Sequence, residues 1–261
     1  MLLAVDIGNS SVNFGIFKQN APTVPICTFS ISTVINRTSD EYELLLHQLI
    51  SSKGFDGLVS ASVVSSVVPS VTNPISCAVE SITGKHPFII GSGTRTGIKI
   101  KIDNPSELGA DIVSNAAAAV SMYGNTPMII ADLGTATTLT AINAEREILG
   151  TVIIPGAKVS LDALSNSAEL LYNVYLEKPA QIIGKNSSES ILSGVINGNV
   201  YMIDGFVRNL KEILCKNNEN LTLIATGGLS HSIIPHCRNK FTIIDNLTII
   251  GASLLFCNCR K

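Results

Sequence analysis

Apolar and polar positions along the chain fall into two copies of one pattern. In the first, the apolar run Leu2-Leu3-Ala4-Val5 stops at Asp6-Ile7-Gly8-Asn9-Ser10-Ser11, after which Val12-Asn13-Phe14-Gly15-Ile16-Phe17 alternates. In the second, Met128-Ile129-Ile130-Ala131 stops at Asp132-Leu133-Gly134-Thr135-Ala136-Thr137, followed by Thr138-Leu139-Thr140-Ala141-Ile142. A short continuous apolar run fits a buried strand, and a period of two fits a strand with one buried face. Each copy therefore predicts a strand, a tight turn and a second strand. Two such hairpins predict two similar domains, taken as 1–117 and 118–261.

The remaining pattern is mixed. Ser39-Asp40-Glu41-Tyr42-Glu43 carries a helix-capping signature, and Leu44, Leu45, Leu49 and Ile50 follow at helical spacing. Residues 57–64 predict a strand. Residues 98–102 read Ile-Lys-Ile-Lys-Ile, which in a strand puts Ile98, Ile100 and Ile102 on one face and Lys99 and Lys101 on the other. After Asn104-Pro105, residues 106–122 predict a helix that carries the chain from one domain to the other. A strand at 150–154, a helix at 160–168, a long helical stretch at 187–214, a strand at 221–225 and a closing apolar segment at 249–256 complete the pattern. Strands alternating with helices predict an α/β fold with sheets covered on both faces. The apolar stretch 191–207, interrupted by Gly194, Gly198 and Gly205, fits either a helix packed on a second copy or an internal core helix.

Composition narrows the classes of partner. With 46% hydrophobic and 15% charged residues, the chain of 261 residues lies in the globular range. Lys and Arg number 18 against 20 Asp and Glu, with no basic run, so the footprint of a nucleic-acid binder is missing. No formal charge falls between Asp56 and Glu80, but serines, Pro69 and Pro74 interrupt that segment. A strand, a turn and a short helix fit it better than a membrane span. Asp6 falls where the apolar core of a signal peptide would continue. Of the cysteines Cys27, Cys77, Cys215, Cys237, Cys257 and Cys259, only the last two are closely spaced, and no second Cys or His pair accompanies them. Reduced thiols in a cytoplasmic protein are the expectation.

A single Asp-x-Gly triplet occupies many ordinary turns. Two, each entered by an apolar strand and followed by hydroxyl or amide side chains, suggest a grip on a nucleoside triphosphate. Glycine lets backbone N–H groups approach phosphate, Asn9, Ser10, Thr135 and Thr137 supply further donors, and Asp6 and Asp132 can hold the neutralising cation. Ala225-Thr226-Gly227-Gly228, at the end of a predicted strand, offers bare backbone to an adenosine.

These motifs resemble those of the type III pantothenate kinases. Asp6-Ile7-Gly8-Asn9-Ser10 and Asp132-Leu133-Gly134-Thr135-Ala136-Thr137 match that family's two phosphate motifs. Asn104-Pro105-Ser106-Glu107-Leu108-Gly109-Ala110-Asp111, Ile154-Pro155-Gly156, Gly184-Lys185-Asn186-Ser187, Ser193-Gly194-Val195 with Gly198, and Thr226-Gly227-Gly228 match further motifs in the family's order. The resemblance implies two ribonuclease-H-like, actin-like ATPase domains with an ATP cleft between them, a homodimer, ATP with Mg²⁺, and a monovalent cation, K⁺ or NH₄⁺. The implied reaction is phosphorylation of pantothenate to 4′-phosphopantothenate, the first step toward coenzyme A.

Carried over by residue, Asp6, Ile7, Gly8, Asn9, Ser10, Ser11, Val12 and Asn13 form the first phosphate loop. Gly134, Thr135, Thr137, Gly227 and Gly228 serve the nucleotide, and Asp132, with Asp6, a cation. Asp111 matches the general base. The acceptor site would comprise Ile102, Gly109, Ala110, Asp111, Ile112, Ser167 and Ser187. Four positions depart from the family. Ile112 stands where it has Arg, Ile102 where Tyr is common, Ser187 where it has Thr, and Ser167-Ala168-Glu169-Leu170-Leu171 where it has Thr-Ala-x-Leu-Pro. Two alternatives remain at this point: a kinase for a less polar acceptor, and a nucleotide-binding homologue without turnover.

Overall fold

The computed structural model describes residues 1–167, 176–215 and 220–259, with the backbone alone at 166 and 167. The chain divides into two compact units, Met1–Met122 with Asn246–Lys261, and Tyr123–Asp245. This differs from a single cut after 117, which would fall inside a helix.

In the first unit, β1 (Leu2–Ile7) and β2 (Ser11–Lys18) form a hairpin in register from Leu2↔Phe17 to Ile7↔Val12. β3 (Ala21–Ser32) continues the sheet antiparallel to β2. Helix α1 (Ser39–Ser52) precedes β4 (Ala61–Ser66), which lies parallel to β1. Helix α2 (Pro69–Thr83) leads to β5 (Phe88–Ile89), giving the order β3-β2-β1-β4-β5. A short β6 (Lys99–Ile100), a 3₁₀ turn at Pro105–Glu107 and α3 (Ala110–Tyr123) follow.

One face of this sheet, carrying Leu3, Val5, Ile7, Val12, Phe14, Ile16 and Val64, packs on Tyr42, Leu46 and Ile50 of α1 and on Val71, Ile75, Ala78 and Val79 of α2. The other face is covered by α7 (Leu247–Asn258), which also meets α3 closely. A side chain at Gly251 would overlap the Ser114 carbonyl, and Thr248 Oγ1 donates to Asn115 Oδ1 at 2.9 Å.

The second unit repeats the scheme. β7 (Met128–Leu133) and β8 (Ala136–Ile142) form a hairpin from Met128↔Ile142 to Leu133↔Thr137, and β9 (Glu147–Pro155) adds antiparallel to β8. Helices α4 (Ala157–Ser167) and α5 (Ser187–Leu214) lead to β10 (Thr222–Thr226), parallel to β7. After α6 (Ser230–Ile233), β11 (Thr242–Ile243) pairs parallel with β10. Within the unit the strands run β9-β8-β7-β10-β11, the same order as in the first sheet. Ile191, Val195, Ile196, Val200, Ile203 and Val207 of α5 fill the core beside Ile129, Leu133 and Leu139.

Several predicted elements shift. The α1 capping box is Thr38 with Glu41, one residue earlier than expected, and the buried stripe is Tyr42, Leu46 and Ile50, whereas Leu44 is exposed. Residues 57–60 precede β4 instead of belonging to it. Pro69 opens α2 at its first position and Pro74 lies inside it, so the helix is longer than expected. The predicted helix 106–122 begins only at Ala110, because Asn104-Pro105 starts a separate 3₁₀ turn. The alternation at 98–102 yields only a two-residue strand. The internal glycines do not break α5.

Candidate functional site

Asp6 and Asp132 occupy the same place in their units, fifth in β1 and fifth in β7. Each strand is otherwise buried, and only the aspartate is half-exposed. The following glycine closes a tight turn: Gly8 N donates to Ser11 O and Gly134 N to Ala136 O, both at 3.0 Å. Asn9, Ser10 and Thr135 are exposed at the tips, while Ile7 and Val12 turn their side chains into the core and offer only backbone. Asn13 Nδ2 donates to Asp6 Oδ2 at 3.3 Å.

Two residues that the sequence reading did not single out support the first turn. Thr33 Oγ1 donates to Gly8 O at 2.7 Å and Thr33 N to Ser10 O at 3.1 Å. Val67 N donates to Ile7 O at 3.1 Å, and Val67 Cγ1 lies 3.4 Å from where a Gly109 Cβ would stand. Val67 thereby ties the first turn to the start of α3. No local sequence signal marks Thr33, which follows the end of β3 and is 25 residues from Gly8.

At that start, Asp111 folds back over the helix terminus. Its Oδ1 accepts the Ile112 N–H at 2.7 Å, and it fills the space of an absent Gly109 side chain. Burial pushes the Asp111 carboxyl above the usual carboxylate range, against hydrogen bonds from the backbone N–H groups of Ile112 and Asp111 that pull it down. Ala110 is half-buried and its carbonyl accepts from Ser114 Oγ at 2.7 Å. Ile112 is 8% exposed, so its side chain is buried. Ile102 is half-buried beyond β6.

In the second unit, two glycine motifs converge on the Asp132 turn. A Cβ on Gly227, which has φ +90°, would stand 2.5 Å from Asp132 Oδ1 and 2.6 Å from Leu133 N. Leu229 N donates to Leu133 O at 3.1 Å. A Cβ on Gly156 would overlap the carbonyls of Gly134 and Thr135, and Gly156 N donates to Thr135 O at 3.0 Å. Gly228 is exposed beside them. Thr137 pairs with Leu133 in register, is 1% exposed, and its Oγ1 has no hydrogen-bond partner.

Ser187 is the exposed first residue of α5. Its surroundings are a helix cap: Asn186 Oδ1 accepts the Glu189 N–H at 2.9 Å, and Glu189 accepts from Lys185 N at 2.9 Å. Gly184 is required because a side chain there would overlap the backbone of Glu189 and Ser190. The Gly-Lys-Asn-Ser motif thus has a structural role at the helix start. The side chain of Ser167 and residues 168–171 lie outside the described residues.

Duplicated sheets of order β3-β2-β1-β4-β5, with a half-exposed aspartate next to last in each central strand, define the ribonuclease-H-like fold of the actin-like ATPases. A putative 2-dehydro-3-deoxygalactonokinase from Sinorhizobium meliloti is similar, with a TM-score of 0.61 and 11% identity over 100% of this chain and 96% of that one, a likeness of fold. The family model described as "Type III pantothenate kinase" matches residues 2–209. Type III pantothenate kinases of Shouchella clausii and Pelobacter propionicus are each 38% identical over 98% of this chain and 98% of their own length. The chain belongs to the type III pantothenate kinase family.

Proposed function

We propose that the chain transfers the γ-phosphoryl group of ATP to pantothenate, forming 4′-phosphopantothenate in coenzyme A biosynthesis. Family membership supports the reaction. The observation that carries the residue assignment is the link from the Asp6 turn through Val67 to Asp111.

ATP and a divalent metal are the cofactors of such a kinase. The residues fit them: backbone is brought close at Gly227 and Gly156, and buried hydroxyls stand without partners. Among the described residues no cluster of three or more His, Cys, Asp or Glu forms a metal cage. Mg²⁺ carried by phosphates needs only one or two protein carboxylates, and Asp6 is assigned that part. Asn9, Ser10, Ser11 and the backbone of the first turn hold phosphate. Thr135, Thr137, Gly134, Gly227 and Gly228 serve the nucleotide from the second unit, with Asp132 holding K⁺ or NH₄⁺.

Asp111 accepts the proton of the acceptor hydroxyl. Phosphoryl transfer demands positioning and charge neutralisation more than strong base. A carboxyl raised by burial is a better proton acceptor than an ordinary one, provided it is ionised at working pH. Gly109, Ala110, Ile102, Ile112, Ser167 and Ser187 are assigned to the acceptor side. Ile112 serves through its backbone N–H on Asp111.

No helix among the described residues is long and apolar enough to cross a membrane. A cytoplasmic homodimer fits the reading, since α5 leaves Gly194, Gly198 and Gly205 facing open space beside exposed Tyr201. Sedimentation equilibrium tests the dimer. Incubation of purified chain with labelled ATP, Mg²⁺, K⁺ and pantothenate tests the activity. Labelled phosphopantothenate is expected, and ATP hydrolysis or no turnover would refute the assignment.

A further inference from the structure

On the face of the first sheet covered by α7, three polar side chains stand in a row. The registers pair Asp6 with Asn13 on β2 and with Ser65 on β4, and register partners share a face of the sheet. Asn13 already donates to the Asp6 carboxylate. Ser65 on the other flank is fully buried, and its Oγ has no hydrogen-bond partner.

The second sheet repeats the row as Thr138, Asp132 and Thr226. In both copies a hydroxyl stands on the strand parallel to the one that carries the aspartate. The chain beyond differs: Ser66-Val67 follows Ser65, whereas Gly227-Gly228 follows Thr226. Recurrence of the hydroxyl amid such divergence ties it to the aspartate, not to the local turn.

A buried hydroxyl without a partner destabilises the fold, and such local conflicts concentrate at functional sites. Neighbouring strands lie about 4.8 Å apart, so a turn about χ1 brings a serine hydroxyl within reach of a carboxylate on the next strand. A carboxylate hydrogen-bonded on both flanks presents its remaining lone pairs in one fixed direction, as a hard cation requires.

We propose that Ser65 is a positioning residue whose hydroxyl donates to the Asp6 carboxylate in the metal–nucleotide complex, opposite Asn13. The proposal rests on the assignment of Asp6 to the metal–nucleotide. It separates two quantities that a purely structural serine would move together, the stability of the free protein and its affinity for Mg·ATP.

The experiment titrates Mg·ATP into the parent, Ser65→Ala, Asp6→Asn and the double variant by calorimetry, with the Tm of each free protein. Ser65→Ala should weaken Mg·ATP binding about tenfold, leave binding of ATP in EDTA unchanged, and leave the Tm equal or higher. Ser65→Thr, which keeps the hydroxyl, should restore affinity. In the Asp6→Asn background the serine change should add nothing. Unchanged Mg·ATP affinity in Ser65→Ala, or an equal loss in the Asp6→Asn background, overturns the inference while leaving the site assignment standing. Unchanged affinity in Asp6→Asn itself overturns both. If Ser65→Ala folds poorly, Ser65→Cys, a weak donor, takes its place in the same cycle.

Discussion

The Asp111 carboxylate occupies the space in which a side chain at Gly109 would begin, and Val67 closes that space from the other side. Only glycine allows the carboxylate to fold back over the start of α3. Gly109→Ala should displace it and lower kcat about a hundredfold, since small misplacements of a reacting group are that costly. Mg·ATP affinity should stay the same. Steady-state kinetics with calorimetry check the pair of outcomes, and an unchanged kcat would remove the orientation of Asp111 from the mechanism.

Asp111 also sets a pH dependence. Its folded pKa lies above the unfolded value because of burial. The folded state therefore binds the proton more tightly, and stability falls as pH rises from the unfolded pKa through the folded one. Activity should move oppositely, rising through the same window as the base ionises. Asp111→Asn should abolish turnover, flatten this part of the stability profile and leave the protein equally or more stable at neutral pH. Thermal melts across the acid range measure it.

Gly227 has φ +90° and sits against Asp132 and Leu133. Gly227→Ala combines a left-handed backbone strain with contact against a backbone nitrogen, so a loss of at least ~2 kcal/mol is expected. Urea denaturation gives the loss, and nucleotide titration should show weaker binding because the Asp132 turn has to move.

Ile112 is buried at 8% exposure. Restoring the arginine common in the family would place a charge in that packing, and Ile112→Arg should cost roughly 2–4 kcal/mol without lowering the KM for pantothenate. Ile112→Val should cost only about 0.5–1.5 kcal/mol. A stable Ile112→Arg protein with a lower KM would show that the side chain reaches the acceptor.

The cap of α5 gives a test of the helix start that carries Ser187. Asn186→Ala removes the side chain that accepts from Glu189 N, and should destabilise by about 1 kcal/mol with kcat unchanged. Glu189 is held below the usual carboxylate range by the hydrogen bond from the Lys185 backbone, then by those from Gln181 and Asn186. That contribution is present above the ordinary glutamate pKa and fades as pH falls through the lowered one.

Local pattern settled the repeated hairpins by itself. An apolar run that stops at Asp-x-Gly and resumes with period two admits little besides a buried strand, a turn and its antiparallel partner, and both registers follow. The long α5 was legible for the same reason, since its apolar spacing persists across glycines. The resemblance of spaced motifs points to Asp6, Asp132 and Asp111 from sequence alone. Tertiary structure decided what depends on residues distant in sequence. The closing helix α7 joins the first unit because the α3 and α7 backbones meet at Gly251, a contact no local window contains. Thr33 and Val67 support the first turn through hydrogen bonds set by strand ends and chain reversal. Ser65 reads in sequence as one serine among several in an apolar strand. Its place beside Asp6 comes from parallel pairing of β1 with β4, which brings together residues separated by α1 and fixes which of them share a face.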